Sequence, residues 1–340
     1  MSLKISSDSL TGFHIDNSIE FAKFASPIMI SLDVTNRCNF RCLHCFNESD
    51  ANGKSAEFTD EEILDIAKQM RDMNPMMVCL CGGETTCRKN LLDIIHILSS
   101  GGSIVSMVSN GYLINDSYAK KLKEANINFV QISVDGINKY QHDTFRQKCG
   151  AFDHAINAIK ELKKQDLHVA TSLVPNKMNW NHISEYIEMC KSLHVDEIRI
   201  MPYIPIGRGS KVGKKLLLEP DEYAYFQTIL YEYQITQSDI RITWGDPLDH
   251  LVRMPNNTIN GMSTFSFDIR SNGDIGITPY FPFVFGNIRR HSLSDYWENG
   301  LNTVWTRPEV MRRISKIKNV YDIGKEIEPI NIDLIEGGKI

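Results

Sequence analysis

From Ile28 to about Gln234 the chain repeats one pattern, a short apolar run ending in Gly, Asn, Asp or Pro and then an amphipathic stretch of about ten or more residues. The runs Ile28–Val34, Met77–Leu80, Ile104–Val108, Phe129–Val134, Val169–Val174 and Glu197–Met201 are expected strands. Helices are expected near Asp60–Met73, Lys89–Ser99, Asp116–Glu124, Phe152–Gln165, Asn181–Leu193 and Asp221–Tyr233. Thr59 with Glu62 three residues later is a capping-box start for the first helix. Six strand-helix units in series demand a parallel sheet with right-handed crossovers. The expected fold class is α/β, a partial (β/α)6 TIM-like barrel over residues 28–235.

The alternation stops near Gln234. Beyond it, Phe265–Ile269 and Ile275–Thr278 flank an Asn-Gly turn and predict a β-hairpin, followed by helices at Leu293–Asn299 and around Glu309–Lys318. Residues 236–340 are therefore expected to form a smaller α+β C-terminal module. Residues 1–27 are expected to make a small hairpin or an irregular lead-in, too short to be an independent peptide-recognition domain.

In such barrels the chemistry lies at the C-terminal ends of the strands. Every conspicuous polar motif here follows a strand: Cys38-Asn39-Phe40-Arg41-Cys42-Leu43-His44-Cys45 after the first, Gly82-Gly83-Glu84 after the second, Ser109-Asn110-Gly111 after the third and Asp135-Gly136 after the fourth. Three thiolates can hold three irons of a [4Fe–4S] cluster and leave one iron open, whereas clusters ligated entirely by protein use four cysteines. The competing reading is a zinc site completed by His44, but zinc knuckles favour paired two-residue gaps and a second pair, which this chain lacks.

The eight cysteines are Cys38, Cys42, Cys45, Cys79, Cys81, Cys87, Cys149 and Cys190, so the last 150 residues contain none. A secreted disulfide framework would spread them evenly through a shorter chain, so reduced thiols in a reducing compartment are expected. Cys79, in a strand, and Cys190, at core spacing on a helix, are expected to be buried small hydrophobes. His142 and His154 are expected to be solvated or capping, and the run Met201–Gly209 to line a substrate mouth or to serve only as a connector. With 37 basic and 42 acidic side chains and no long basic run, no nucleic-acid partner is expected. No apolar span of roughly eighteen residues and no signal-peptide pattern is present, so the expected location is cytoplasmic, without a membrane.

The cysteine loop, Gly82-Gly83-Glu84 and Ser133-Val134-Asp135-Gly136 together resemble the radical S-adenosylmethionine (SAM) enzymes over about residues 28–235. The resemblance implies that Cys38, Cys42 and Cys45 bind three irons of one [4Fe–4S] cluster and that SAM chelates the fourth. It implies that His44 lies near the adenine and that Gly82, Gly83 and Glu84 receive the SAM amino group. Asn110, Ser133 and Asp135 are then placed near the ribose and methionine, Arg146 at the SAM carboxylate, and Met201 at the adenine. Where the family commonly continues Gly-Gly-Glu with Pro-Leu, this chain has Thr85-Thr86-Cys87.

More weakly, Phe267–Ile275, Thr278-Pro279-Tyr280, Phe285–Ile288 and Ser292–Trp297 look like the SPASM or twitch extension of peptide-modifying members. The cysteines that bind auxiliary clusters there are absent: Pro279 is followed by Tyr280, and Gly261-Met262-Ser263 carries no thiol. A SPASM-like cap without clusters is expected.

The resemblance implies an enzyme that cleaves SAM reductively and abstracts hydrogen with a 5′-deoxyadenosyl radical. The first substrate reading is a ribosomally made peptide, cross-linked, thioether-bridged or epimerised. The second is a small metabolite such as an amino sugar, and the third a non-enzymatic iron–sulfur or zinc protein. Cys81, Cys87 and Cys149, at strand ends or in loops, are candidate hydrogen donors of the kind used by related peptide epimerases. The expected partners are an electron donor such as flavodoxin or ferredoxin and a separate peptide-recognition protein.

Overall fold

The computed structural model of the chain describes residues 24–53, 56–236, 239–245, 247–323 and 327–338. The lead-in expected over residues 1–27 lies outside the described residues except for its last four. Parallel strands β1 (Met29–Asp33), β2 (Met77–Cys81), β3 (Ile104–Ser109), β4 (Phe129–Ser133), β5 (His168–Leu173) and β6 (Glu197–Ile200) follow the expected order. Between them run α1 (Asp60–Met73), α2 (Leu91–Ser100), α3 (Asp116–Glu124), α4 (Lys139–Arg146), α5 (Ala151–Lys164) and α6 (Ile183–Ser192). The capping box at the start of α1 is formed, with Thr59 Oγ1 accepting from Glu62 N and Glu62 Oε2 accepting from Thr59 N.

Period-two alternation sorts each strand into two faces. Ile30, Leu32, Val78, Leu80, Val130 and Ile132 are fully buried beneath the helices. Their neighbours Ser31, Asp33, Cys79, Cys81 and Gln131 are only half-buried and lie on the opposite face. The barrel therefore has an apolar outside, covered by helices, and a partly polar inside.

Three features differ from the expected pattern. Helix α4 was absent from the sequence reading because its buried face is Gln141, His142, Phe145 and Arg146, which carries almost no apolar periodicity. The alternation also does not end at Gln234. Helices α7 (Arg208–Val212) and α8 (Pro220–Thr236) lead to a seventh parallel strand, β7 (Arg241–Trp244), whose four residues bury only Ile242. The helix α9 (Pro247–Ile259) then follows, its pattern interrupted in sequence by Pro255.

The third difference concerns the C-terminal hairpin, which forms as expected from β8 (Ser266–Ile269) and β9 (Ile275–Gly276), with Gly273 at φ 93° in the turn. It is not a sheet of its own. β8 pairs in parallel with β1, so one sheet runs β7-β6-β5-β4-β3-β2-β1-β8-β9. Helix α10 (Leu293–Glu298) sits against this edge, with Trp297 beside Phe267 at 6.3 Å between ring centroids. Arg289 ties the C-terminal segment to the start of α1, its Nε donating to Glu62 Oε1 at 2.6 Å and its Nη1 to Ala56 O at 3.1 Å.

Because β8 covers the β1 edge and β7 the β6 edge, a chain truncated after Gln234 exposes two unpaired parallel edges. It is expected to aggregate or to lose its cooperative thermal transition in circular dichroism. A truncated chain that is monomeric and melts within about 5 °C of the full protein would contradict this.

Candidate active site

The cysteine loop is positioned by backbone contacts from three other parts of the chain. Cys38 N donates to Asp50 O at 2.7 Å, Leu43 N to Phe145 O at 3.0 Å and Arg208 N to Cys45 O at 3.0 Å. The Arg208 side chain adds bonds from Nε to Cys42 O at 3.0 Å and from Nη1 to Ser49 O at 2.9 Å. Gly207, at φ 55°, passes so close that a Cβ there would stand 2.3 Å from Phe46 O. The run Met201–Gly209 is thus no mere connector: its far end clamps the loop. Nothing in its composition announces Arg208, because the contact spans more than 150 residues of chain.

On the other side the loop rests against the end of β2. Gly83 N donates to Thr35 O at 2.7 Å and Glu84 N to Arg37 O at 2.8 Å. A Cβ on Gly82 would meet Thr35 O at 2.2 Å, and one on Gly83 would meet Arg37 O at 2.3 Å. The two glycines are required by the protein's own backbone before any ligand is considered.

Cys38 and Cys42 are buried, Cys45 is half-buried, and all three are free thiols on the wall of one cavity of about 410 Å³. Phe40 N–H points at Cys38 Sγ at 3.4 Å and Arg146 Nη1 at Cys42 Sγ at 3.8 Å, donors suited to metal-bound sulfur. Burial pushes the Cys38 thiol up to about 12, and burial also raises Cys42 against the pull of Arg146. These thiols lose their protons when a metal takes their place.

The sulfurs are not gathered for a single tetrahedral ion. Four ligands about 2.3 Å from one zinc lie less than about 4 Å apart. Among the described residues, the only His, Cys, Asp and Glu trio with ligand atoms within 4.8 Å of one another is His291, Asp333 and Glu336, far along the chain. The donor set and its spread fit an iron–sulfur cluster better than zinc.

His44, Cys81, Gly82, Gly83, Glu84, Asn110, Ser133, Arg146 and Met201 line the same cavity. His44 stacks on Phe145 at 4.2 Å, with Nδ1 buried and lacking a protein partner. Burial, then the charges of Arg146 and Arg208, hold its pKa well below the usual value, so the ring is neutral. Glu84 is buried and already engaged: Oε1 accepts from Thr86 N, Thr86 Oγ1 and Ser109 Oγ, and Oε2 from Asn110 N at 2.7 Å. Thr85 and Thr86, which stand where Pro-Leu is common, therefore fix this loop by hydrogen bonds, Thr85 Oγ1 donating to Val108 O at 2.9 Å.

Asp135 does not reach the cavity. It is fully buried behind Arg146, with Oδ2 2.5 Å from Arg146 Nε and Oδ1 accepting from Val174 N at 2.8 Å. Its backbone N donates to His142 Nδ1 at 3.0 Å, so His142 is a buried structural partner, contrary to the expected solvated or capping role. Burial alone would lower the Arg146 pKa, but Asp135 and Cys42 raise it, so the guanidinium stays charged where it faces the cavity.

Of the three candidate hydrogen donors, only Cys81 lies on the cavity wall. Cys87 follows Glu84 in a short 3-10 turn outside it, and Cys149 is exposed in the loop before α5. Cys79, expected in the core, instead shares the inner barrel face with Cys81, their sulfurs 3.4 Å apart; Cys190 is buried as expected. Sequence reasoning also missed Gln131, Ser172 and Arg199 on the cavity wall, although strand alternation places them on the face of Cys81 and Ser133.

A second cavity, of about 870 Å³, adjoins the first, and Phe46, Asn47, Cys81, Met201, Pro279 and Tyr280 border both. Its far wall is built from the C-terminal part: Trp244, Arg253, Phe267, Asp268, Arg270 and Phe281. No helix among the described residues is long and apolar enough to cross a membrane.

Residues 32–190 match the model of the radical SAM superfamily. The chain is 24% identical over 292 residues to an AdoMet-dependent heme synthase of Methanosarcina barkeri (strain Fusaro / DSM 804), covering 81% of this chain and 83% of that one. It is 32% identical over 226 residues to a probable GTP 3′,8-cyclase of Saccharolobus islandicus (strain L.S.2.15 / Lassen #1), covering 64% and 71%. Its fold is similar to that of Streptococcus suis SuiB bound to the precursor peptide SuiA, with a TM-score of 0.67, 16% identity, and coverage of 87% and 68%. The chain belongs to the radical SAM superfamily, whose enzymes use a [4Fe–4S] cluster and S-adenosylmethionine.

Proposed function

We propose that Cys38, Cys42 and Cys45 hold the cluster, that SAM occupies the 410 Å³ cavity, and that the 870 Å³ cavity takes a segment of a peptide whose residue is epimerised. When bound, the cluster and SAM supply a 5′-deoxyadenosyl radical able to remove hydrogen from an unactivated C–H bond. The chain supplies the rest. Arg146, held by Asp135, offers a planar fork to the SAM carboxylate, and Glu84 Oε2, with a single protein donor, has acceptor capacity left for an ammonium. Phe46, Pro279 and Tyr280 line both cavities and put apolar surface at their shared boundary.

The observation that carries the reading is the position of Cys81, on the wall common to both cavities. A substrate radical formed at that boundary is within the same enclosure as a thiol, whose S–H hydrogen can return to the opposite face of the carbon. Epimerisation is redox-neutral for the substrate. Cross-links and thioethers are two-electron oxidations that need an electron sink, and the last 150 residues contain no cysteine to ligate a second cluster. The peptide held by SuiB supports a peptide substrate on this fold. A second reading, a small-molecule substrate, is favoured by the relatives named for heme synthesis and GTP cyclisation.

Replacing Cys38, Cys42 or Cys45 by alanine is expected to remove the cluster's roughly four irons and to abolish 5′-deoxyadenosine formation. A triple alanine variant that, after anaerobic reconstitution, still bound iron at that level and cleaved SAM would overturn the ligand assignment. Asp135→Ala leaves Arg146 charged and unpaired in a buried site and is expected to cost about 3–5 kcal/mol of stability in denaturant unfolding. A loss under about 1 kcal/mol would show that the pair does not organise the wall.

For the epimerase reading, peptides encoded beside the gene are incubated in D₂O with SAM and reductant. The expected product gains one deuterium at an inverted α-carbon, and Cys81→Ala continues to form 5′-deoxyadenosine while deuteration falls at least about a hundredfold. A product two hydrogens lighter, or no change in any peptide, would favour cross-linking or the small-molecule reading instead.

A further inference from the structure

Cys79 and Cys81 are two residues apart on β2, on the same inner face, with sulfurs 3.4 Å apart. Cys81 borders both cavities and Cys79 neither, so chemistry at Cys79 reaches a bound substrate only through Cys81, although Cys79 is no more buried than Cys81 and both keep some exposure to a small reagent.

The surroundings of the two sulfurs are not alike. Asp33 on β1 is the register partner of Cys81, and Asp268 on β8 is one strand further, opposite Ser31. The Cys79 end faces Ser106 on β3, its register partner, and the Arg199 guanidinium on β6 across the barrel. Asp33 bears on both sulfurs and Asp268, paired with Arg270, on Cys81, whereas Arg199, paired with Glu197, bears on Cys79, so the charges favour giving up the proton at Cys79. The hydrogen bond from Cys81, with the Arg199 charge behind it, brings Cys79 down to about 7 against its burial. That same bond, burial and the charges of Cys79, Asp33 and Asp268 push Cys81 well above the usual thiol value.

We propose that Cys79, as a thiolate, is the positioning residue of the hydrogen donor: it keeps Cys81 protonated and shares the odd electron after the hydrogen atom has left. This rests on the reading of Cys81 as donor. A thiolate has no hydrogen atom to give, so a donor thiol must stay protonated at working pH, and the single Cβ–Sγ bond lets the S–H turn from Cys79 toward the cavity. In the transfer the Cys81 S–H bond breaks and a C–H bond forms on the substrate radical, leaving a thiyl at Cys81. The thiyl and the Cys79 thiolate then form a three-electron S–S bond, a disulfide radical anion with one negative charge and no change in atoms. One electron from a low-potential one-electron donor and one proton from solvent restore the thiol and the thiolate.

The test is pulse alkylation of the anaerobic, cluster-loaded protein with iodoacetamide between pH 5.5 and 10, with residue-level mass spectrometry. Cys79 is expected to react first, with a midpoint of about 7, while Cys81 stays protected. In Cys81→Ala the Cys79 midpoint is expected to rise toward the ordinary thiol value of about 8.5, and in Cys81→Ser, which keeps a donor, to rise less. A wild-type Cys79 midpoint at or above about 8.5, or Cys81 reacting first, overturns the proposal even if neither variant folds. Alkylation as expected, with no deuterium transfer to any peptide, would instead overturn the epimerase reading and leave the thiol–thiolate pair in place.

Discussion

The site depends on one backbone seam, where the segment Thr35–Arg37 meets Gly82–Glu84 at the ends of adjacent parallel strands. Two N–H···O bonds cross it, and neither glycine tolerates a Cβ. The seam fixes the start of the cysteine loop relative to Glu84, and Glu84 in turn collects Thr86, Ser109 and Asn110. Loops from three strands are thereby locked together by short polar contacts that would be costly to leave unmade in a buried place. A second lock, Asp135 to Arg146, joins the end of β4 to α4 and aims a guanidinium toward Cys42. Arg208 closes the third side.

These locks explain why a polar interior is tolerated. The apolar faces of the strands are buried under helices and carry the stability of the fold, at roughly 25 cal/mol per Å² of apolar surface removed from water. The inner face is thus available for Ser, Cys, Gln and Arg, and the hairpin β8–β9 extends it on the β1 side so that one continuous surface serves both cavities. The C-terminal part is then best seen as a wall of the site: Asp268, Arg270, Pro279 and Tyr280 stand within the same chamber as Cys81.

Much of this was legible in the sequence because it depends on local periodicity. Strands such as Met77–Cys81 announce themselves as short apolar runs, α1 starts where the Thr59 and Glu62 capping box says, and the motifs sit at strand ends because a parallel barrel puts them there. What was not legible depends on long-range placement. Asp-Gly after a strand says that Asp135 lies near the mouth, but only the fold shows it behind Arg146 and out of the cavity. Helix α4 hid because its buried face is polar, and β7 because it buries one side chain. For Cys79 the signal existed: Met-Val-Cys-Leu-Cys in a strand puts both sulfurs on one face, and that face was mistaken for core.

On the proposed reading, the three loop thiols, the charged fork held beside them and the fourth thiol between two chambers belong to an enzyme that makes a radical in one compartment and spends it at the boundary of the next. The claim beneath all of this is that the protein gives the cluster three ligands and leaves the fourth iron to SAM. Electron paramagnetic resonance of the reduced protein, recorded with and without SAM, tests it most directly. The account predicts one cluster signal per chain that changes shape when SAM is added. A cluster signal indifferent to saturating SAM would contradict it, because all four irons would then be held by the protein.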